Sequence, residues 1–271
     1  MLPWNKNFLE QQNIIKPKTI LCGSNDQDIN HVARELVKDF ISNVDNKDYQ
    51  NIELENIASQ NFYFLKKDPE KNNIPIAELR EPKDFLSLRS TGSKLLFIQR
   101  GEDIRIDGYN SLLKVAEDSG DDTFIIISTN NLSSIPSTIK SRFHILRVPK
   151  PSIKEVEEVF TTSDHNLSSD AVGFLSENPK EFESSLSELV KKMEKYDSFI
   201  KLKDIKSKDR DEISGFTDYL IYLQKLKINS QAKISLKNLI ELIDIKKSIK
   251  LPNNLSLDII KLRINSCLKW V

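Results

Sequence analysis

The sequence predicts an α/β domain built on a parallel sheet flanked by helices, followed by an all-α region made of two smaller helical domains. Three observations predict it. Short runs that are apolar throughout alternate with helical stretches up to residue 148, the pattern of strands covered on both faces. The segment Pro149-Lys150-Pro151 then closes that pattern. Beyond it the chain shows only helical periodicity to its end.

The elements follow in order. Lys18-Thr19-Ile20-Leu21-Cys22-Gly23 reads as a buried strand ending at a glycine. Residues 29–44 carry Ile29, Val32, Ala33, Leu36, Val37 and Phe40 along one helical face. Residues 62–65 form a second strand candidate. Residues 74–90 read as a helix around Ile76, Leu79, Phe85 and Leu86, interrupted near Pro82. Lys94-Leu95-Leu96-Phe97-Ile98 is a continuous apolar strand, followed by a helix over 109–118 with Leu112, Leu113 and Val115. Residues 124–128 form another apolar strand. A short helix over 136–141 has Pro136 near its first turn, where the missing N–H costs nothing. Residues 143–148 alternate as a last strand. Ser152-Ile153-Lys154-Glu155 has the S-x-x-E form of a capping box, so a helix starts there. Breaks fall near Asn178-Pro179, residues 207–210, Asn229-Ser230 and Pro252-Asn253. The resulting division is an α/β domain over 1–150, a small helical domain over 151–205 and a further helical domain over 206–271.

Composition narrows the function classes. The 271 residues are 38% hydrophobic and 30% charged, enough apolar material for a sizeable core. Forty basic residues balance forty acidic ones, so the whole molecule has no net field to attract nucleic acid or an anionic membrane. From Lys206 onward thirteen Lys/Arg face seven Asp/Glu, which reads as a solvated lysine-rich helical surface. Two distant cysteines, Cys22 and Cys267, exclude a disulfide framework and a cysteine-only zinc site. Met1-Leu2-Pro3-Trp4 shows no secretory signal, and no stretch reaches the roughly 18 apolar residues of a membrane span. A cytoplasmic protein is expected. His31, His144 and His165 are too scattered for a metal site, and no spacing supports a hydrolase triad.

A strand, a glycine and a helix are the setting of a phosphate-binding loop, G-x-x-x-x-G-K-[ST]. Here the segment is Gly23-Ser24-Asn25-Asp26-Gln27-Asp28-Ile29-Asn30. Only the first glycine remains. Asp28 stands for the second, Ile29 for the lysine, and Asn30 for the magnesium-binding hydroxyl; Asp26 takes a position often held by glycine. Side chains there obstruct the backbone's approach to phosphate, and two carboxylates repel a polyanion. The acidic residues that should close the strand 94–98 are replaced by Gln99 and Arg100, with Glu102 and Asp103 a few residues late. No nucleotide or metal cofactor is expected.

Residues 94–150 carry a more specific signal. Asn110-Ser111-Leu112-Leu113-Lys114-Val115-Ala116-Glu117-Asp118 resembles the pattern N-A-L-L-K-x-L-E-E, with Ser119 where a proline usually follows. Pro136-Ser137-Thr138-Ile139-Lys140-Ser141-Arg142-Phe143 resembles P-x-T-I-x-S-R-C, with Phe143 in place of the cysteine. Thr129-Asn130 falls at the sensor segment between them, and Ile76-Ala77-Glu78-Leu79-Arg80 resembles I-x-x-[IL]-R. Together these resemble the AAA+-like sliding-clamp-loader family, and within it the delta-prime subunits of bacterial DNA polymerase III. The four-cysteine zinc module of many relatives is absent, and the C-terminal helices are short for the family.

The resemblance implies an AAA+-like fold with a helical lid and a C-terminal collar for assembly. It implies a subunit that does not hydrolyse ATP itself and works inside the DNA polymerase III holoenzyme. It implies Arg142 as a finger acting in trans on ATP bound by a neighbour, with Ser141 positioning it. A guanidinium there stabilises charge on the γ-phosphate oxygens, as lysine could not in the same planar fork. Implied partners are the ATPase and clamp-opening subunits, the sliding clamp, and primer–template DNA held through its phosphates. The alternative is a P-loop-like DNA-processing ATPase with unconventional nucleotide binding, and a third reading is a nucleic-acid-binding helical protein using the basic C-terminal region.

Overall fold

A computed structural model describes residues 2–11, 15–88, 92–118, 120, 122–228, 232–250 and 255–268 of the chain. The expected breaks at Asn229-Ser230 and Pro252-Asn253, together with Met1, Ser90 and Ser119, lie outside the described residues. The chain divides into two compact units, Met1–Glu155 and Val156–Val271.

The first unit is an α/β structure. Five strands, β1 (Lys18–Cys22), β2 (Phe62–Leu65), β3 (Lys94–Ile98), β4 (Thr123–Thr129) and β5 (His144–Arg147), form one sheet in the order β2-β3-β4-β1-β5. Every pairing is parallel, with Ile20 opposite Ile127 and Ile145, and Phe97 opposite Phe64 and Ile126. β3 is buried along its whole length and β1 over four of its five residues, because helices cover both faces. One face packs Leu96, Ile98, Ile125 and Ile127 against Leu79, Leu112 and Ile139. The other packs Leu21, Leu95, Phe97 and Ile126 against Val32, Leu36, Val37 and Ile41.

The helices of this unit are α1 (Pro3–Gln11), α2 (Asp26–Asp45), α3 (Arg80–Ser87), α4 (Ile106–Asp118) and α5 (Ser137–Lys140). α1 has no counterpart in the sequence reading; Pro3 opens it where a missing N–H is harmless, and Trp4 and Phe8, one turn apart, are buried. Nor does Pro82 interrupt a helix. A 3₁₀ turn over Ile76–Leu79 leads into α3, so Pro82 sits in the first turn of α3, where no i→i−4 bond is lost. The Ser152–Glu155 capping box forms: the Ser152 N–H donates to Glu155 Oε2 at 2.9 Å and the Glu155 N–H to Ser152 Oγ at 3.3 Å. It opens α6 (Ile153–Thr161).

The second unit is helical among its described residues: α7 (Ser169–Glu177), α8 (Leu186–Leu202), α9 (Arg210–Ile228), α10 (Ala232–Lys250) and α11 (Leu257–Cys267). An aromatic cluster forms much of its core. Phe174 meets Tyr219 edge-on at 5.2 Å, and Phe216 packs on Tyr196 at 5.3 Å and Phe199 at 5.2 Å. Among the described residues no helix is long and apolar enough to cross a membrane.

Candidate functional site

Parallel sheets bring their ligand-binding loops together outside the carboxyl ends of the strands. Two such loops were singled out by sequence, Gly23–Asn30 after β1 and Gln99–Arg100 after β3, and the fold joins them. Gln99 Nε2 donates to Asn30 Oδ1 at 2.9 Å. Arg100 Nη1 pairs with Asp26 Oδ2 at 2.9 Å, and its Nε faces Asp103 Oδ2 at 3.3 Å and Glu102 Oε1 at 3.7 Å. Arg100 reaches this position from a left-handed backbone, φ 61°, ψ 72°, which costs a non-glycine residue roughly 1–2 kcal/mol. Its N–H donates to Ser128 Oγ at 3.2 Å, fixing the corner to the end of β4.

The N-terminus of α2 is closed by the chain's own side chains. Asn25 is the N-cap, its Oδ1 accepting from the Asp28 N–H at 2.7 Å. The Asp28 carboxylate, 3% exposed, accepts from Asn25 Nδ2 at 2.7 Å, Asn5 Nδ2 at 2.6 Å and Trp4 Nε1 at 3.3 Å. Asp26 and Asp28 both lie in the first helical turn, where a carboxylate meets the positive end of the helix dipole. The attraction that a helix N-terminus offers to an anion is thus met by resident carboxylates.

Gly23 and Ile29 have packing roles. A Cβ on Gly23 would lie 2.8 Å from Ile29 Cγ1 and 3.3 Å from Val148 Cβ. Ile29 turns inward and is 1% exposed in the core shared with Leu21 and Val148. Gly101 is similarly confined, since a Cβ there would lie 2.5 Å from Ile127 Cγ2 and 2.6 Å from Tyr109 Oη. The Tyr109 hydroxyl donates to the Gly101 carbonyl at 2.7 Å. Burial pushes that phenol far above its ordinary pKa, and the Glu102 and Asp103 carboxylates add to the rise. Burial likewise lowers the His31 imidazole and raises the Cys22 thiol, Arg147 opposing it in the latter case. Among the described residues no three His, Cys, Asp or Glu side chains group as metal ligands.

Arg142 and Ser141 belong to a separate feature at the C-terminal end of α5. The α5 chain end holds them by short-range bonds. Ser141 Oγ donates to the Thr138 carbonyl at 3.0 Å. Arg142 Nη1 donates to the same carbonyl at 3.1 Å and to Ser141 Oγ at 3.4 Å. Arg142 Nε pairs with Glu117 Oε1 of α4. Both side chains of that pair stay about half exposed, 47% and 49%, so the guanidinium is accessible.

Two residues of these features, Trp4 and Asn5, escaped the sequence reading. They had a local signal, a proline followed by apolar residues at i, i+4 spacing, but nothing local announces that they meet Asp28. Glu117 was visible only as part of a motif, and its bond to Arg142 crosses 25 positions.

Among solved structures, a DNA polymerase III gamma subunit-related protein from Thermotoga maritima is 18% identical, with 98% of each chain covered and a TM-score of 0.45. A single-residue variant of Thermotoga maritima RuvB is 13% identical over 98% of this chain and 81% of its own, with a TM-score of 0.39. No curated protein sequence is significantly similar to the chain. The family model described as "DNA polymerase III, delta subunit" matches residues 6–152, more than half of the sequence. That span takes in both strand-end loops, the α4 segment and the Ser141-Arg142 pair, and the chain belongs to the DNA polymerase III delta-subunit family of clamp-loader proteins.

Proposed function

We propose that this chain is a delta-prime-type subunit of a DNA polymerase III clamp loader, one that leaves its own nucleotide corner empty and supplies Arg142 to ATP held by a neighbour. The observation that carries the reading is how the charges of the corner are met: Asp26 pairs with Arg100, and the buried Asp28 accepts from Asn25, Asn5 and Trp4, all within the chain. Arg142, about half exposed, is held to Glu117 and to the end of α5 by exposed contacts alone. The residues of the corner do not fit a nucleoside triphosphate. Carboxylates stand at the helix N-terminus, a buried isoleucine replaces the lysine, and the Arg100 guanidinium is committed to Asp26.

In this reading Arg142 neutralises charge that develops on the transferred γ-phosphoryl oxygens, and Ser141 limits the directions the guanidinium takes up. Its exchange from Glu117 to phosphate trades one exposed ion pair for a stronger bidentate contact. Residues 151–205 act as a lid domain and 206–271 as a collar that joins the subunits. The partners are an ATPase subunit, a clamp-opening subunit, the sliding clamp and primer–template DNA, in the cytoplasm.

The test is reconstitution with the cognate ATPase subunits, clamp and primed DNA. Arg142→Ala should leave assembly intact and lower turnover at the neighbouring site by roughly a thousandfold. Isothermal titration of the isolated chain with Mg·ATP should show no binding. Unchanged turnover in the variant, or stoichiometric ATP binding by the isolated chain, overturns the proposal.

A further inference from the structure

β2 is the edge of the sheet. Its inner side is paired with β3: the carbonyls of Asn61 and Leu65 accept from the N–H groups of Leu95 and Gln99 at 2.8 and 2.9 Å. Backbone groups alternate sides along a strand with period two. Tyr63 therefore faces β3 like its neighbours two positions away, and the N–H and C=O groups of Phe62 and Phe64 face outward. None of those four groups has a hydrogen-bond partner among the described residues. This is an open strand edge, the feature that pairs with another polypeptide unless it is blocked.

The edge forms the floor of a groove of about 570 Å³, with Lys66 Nζ 5.9 Å from the centre of the Phe64 ring. Leu54 and Ile57 line one bank, and Ala77, Glu78 and Glu81 line the other. Phe62 and Phe64 lie nearly parallel, 6.5 Å apart, and Phe64 stacks on Phe97 of β3 at 5.3 Å, so the floor is rigid. The rim is acidic: Glu55, Glu78 and Glu81 against the one basic lining residue, Lys66. These carboxylates are held in place. Glu55 pairs with Lys66 at 2.8 Å, Glu78 with Lys71, and Glu81 accepts the Tyr63 hydroxyl at 2.8 Å. Charges at a strand edge usually repel any incoming strand. Here three carboxylates stand against the two lysines that pair with them, Lys66 and Lys71, and the remaining negative charge, at Glu81, disfavours an acidic strand and favours a basic one.

We propose that the groove along β2 takes up an extended segment of a partner polypeptide, with apolar residues alternating with lysine or arginine, as a sixth strand of the sheet. Main-chain bonds to Phe62 and Phe64 supply binding, and the rim carboxylates select the basic side chains. This surface is independent of Arg142 and of the nucleotide corner.

The test uses the full ¹⁵N-labelled chain and three blocked octapeptides. One alternates valine and lysine, one alternates valine and glutamate, and one is the valine–lysine peptide N-methylated at every second residue. The valine–lysine peptide should bind saturably and slow amide exchange at Phe62 and Phe64 at least about tenfold, the mark of new strand hydrogen bonds. The glutamate peptide should bind at least roughly tenfold more weakly, and the Glu78→Gln, Glu81→Gln double variant should close most of that gap. The N-methylated peptide, lacking its donors, should not protect those amides. No saturable binding of the valine–lysine peptide up to about 1 mM, where the binding energy is near −4 kcal/mol, overturns the proposal. So does protection elsewhere, equal binding of the glutamate peptide, or protection that rises with protein concentration alone, which would assign the edge to a second copy.

Discussion

Removing the Asp28 carboxylate tests whether α1 and the loop after β1 are locked together as the geometry requires. The side chain is 3% exposed and accepts three side-chain hydrogen bonds, two short (2.6 and 2.7 Å) and one long (3.3 Å). Hydrogen bonds to a charged group are each worth roughly 1.5–3 kcal/mol, and a buried donor left unpaired costs roughly 1–3 kcal/mol. Asp28→Ala strands the Asn5, Asn25 and Trp4 donors together. Relief of the carboxylate's desolvation and partial relaxation of α1 return part of that loss. The net destabilisation is about 2–4 kcal/mol, a large share of the roughly 5–15 kcal/mol that holds a typical domain. Asp28→Asn keeps the shape but turns an amide N–H₂ toward donors, and should cost about 1–2 kcal/mol. The assay is urea unfolding at pH 7, followed by the fluorescence of Trp4 in a Trp270→Phe background, where it is the single tryptophan. Trp4, 1% exposed, should also shift its emission to the red in Asp28→Ala before global unfolding begins. A loss below about 0.5 kcal/mol with unshifted emission would refute the reasoning, because exposed polar substitutions have effects of that size.

The remaining predictions concern the same unit. Arg100 holds a left-handed backbone, so Arg100→Gly should be more stable than Arg100→Ala by about 1 kcal/mol although both lose the Asp26 pair; equal thermal midpoints would remove the strain argument. Gly101→Ala forces a methyl to within 2.5 Å of Ile127 and 2.6 Å of Tyr109 Oη, and should cost about 1–3 kcal/mol in chemical denaturation. Burial raises the Asp45 pKa, but hydrogen bonds from Ser59, Asn61 and Tyr49 outweigh it and hold the carboxyl below its ordinary value. A depressed carboxyl contributes stability above the unfolded value of about 4 and loses it as pH falls through the folded one, so Asp45→Asn should flatten the acid limb of a pH–stability curve.

Much of the architecture was legible because it is written in near neighbours. All five strands appear as runs of Lys18–Cys22, Phe62–Leu65, Lys94–Ile98, Thr123–Thr129 and His144–Arg147 type, and β-strand and helix periods differ enough to separate them. The Ser152–Glu155 box announced α6 within four residues. Where reading failed, local cues were weak or ambiguous. α1 is a short helix stabilised by contacts of Trp4 and Asn5 with α2, and Pro82 is a breaker in a helix interior but harmless in a first turn.

By itself, then, the sequence determined the α/β-then-helical order and the strands. The tertiary structure alone decided what the residues of the loops after β1, β3 and α5 meet. Asp26 meets Arg100 across 74 positions, Asp28 meets Trp4 across 24, and Arg142 meets Glu117 across 25. The reason is that period and capping act over a turn or two of chain, whereas charge pairing acts through space. In a parallel sheet the carboxyl ends of all strands share one edge, so β1 and β3 deliver their loops to the same place whatever separates them along the chain.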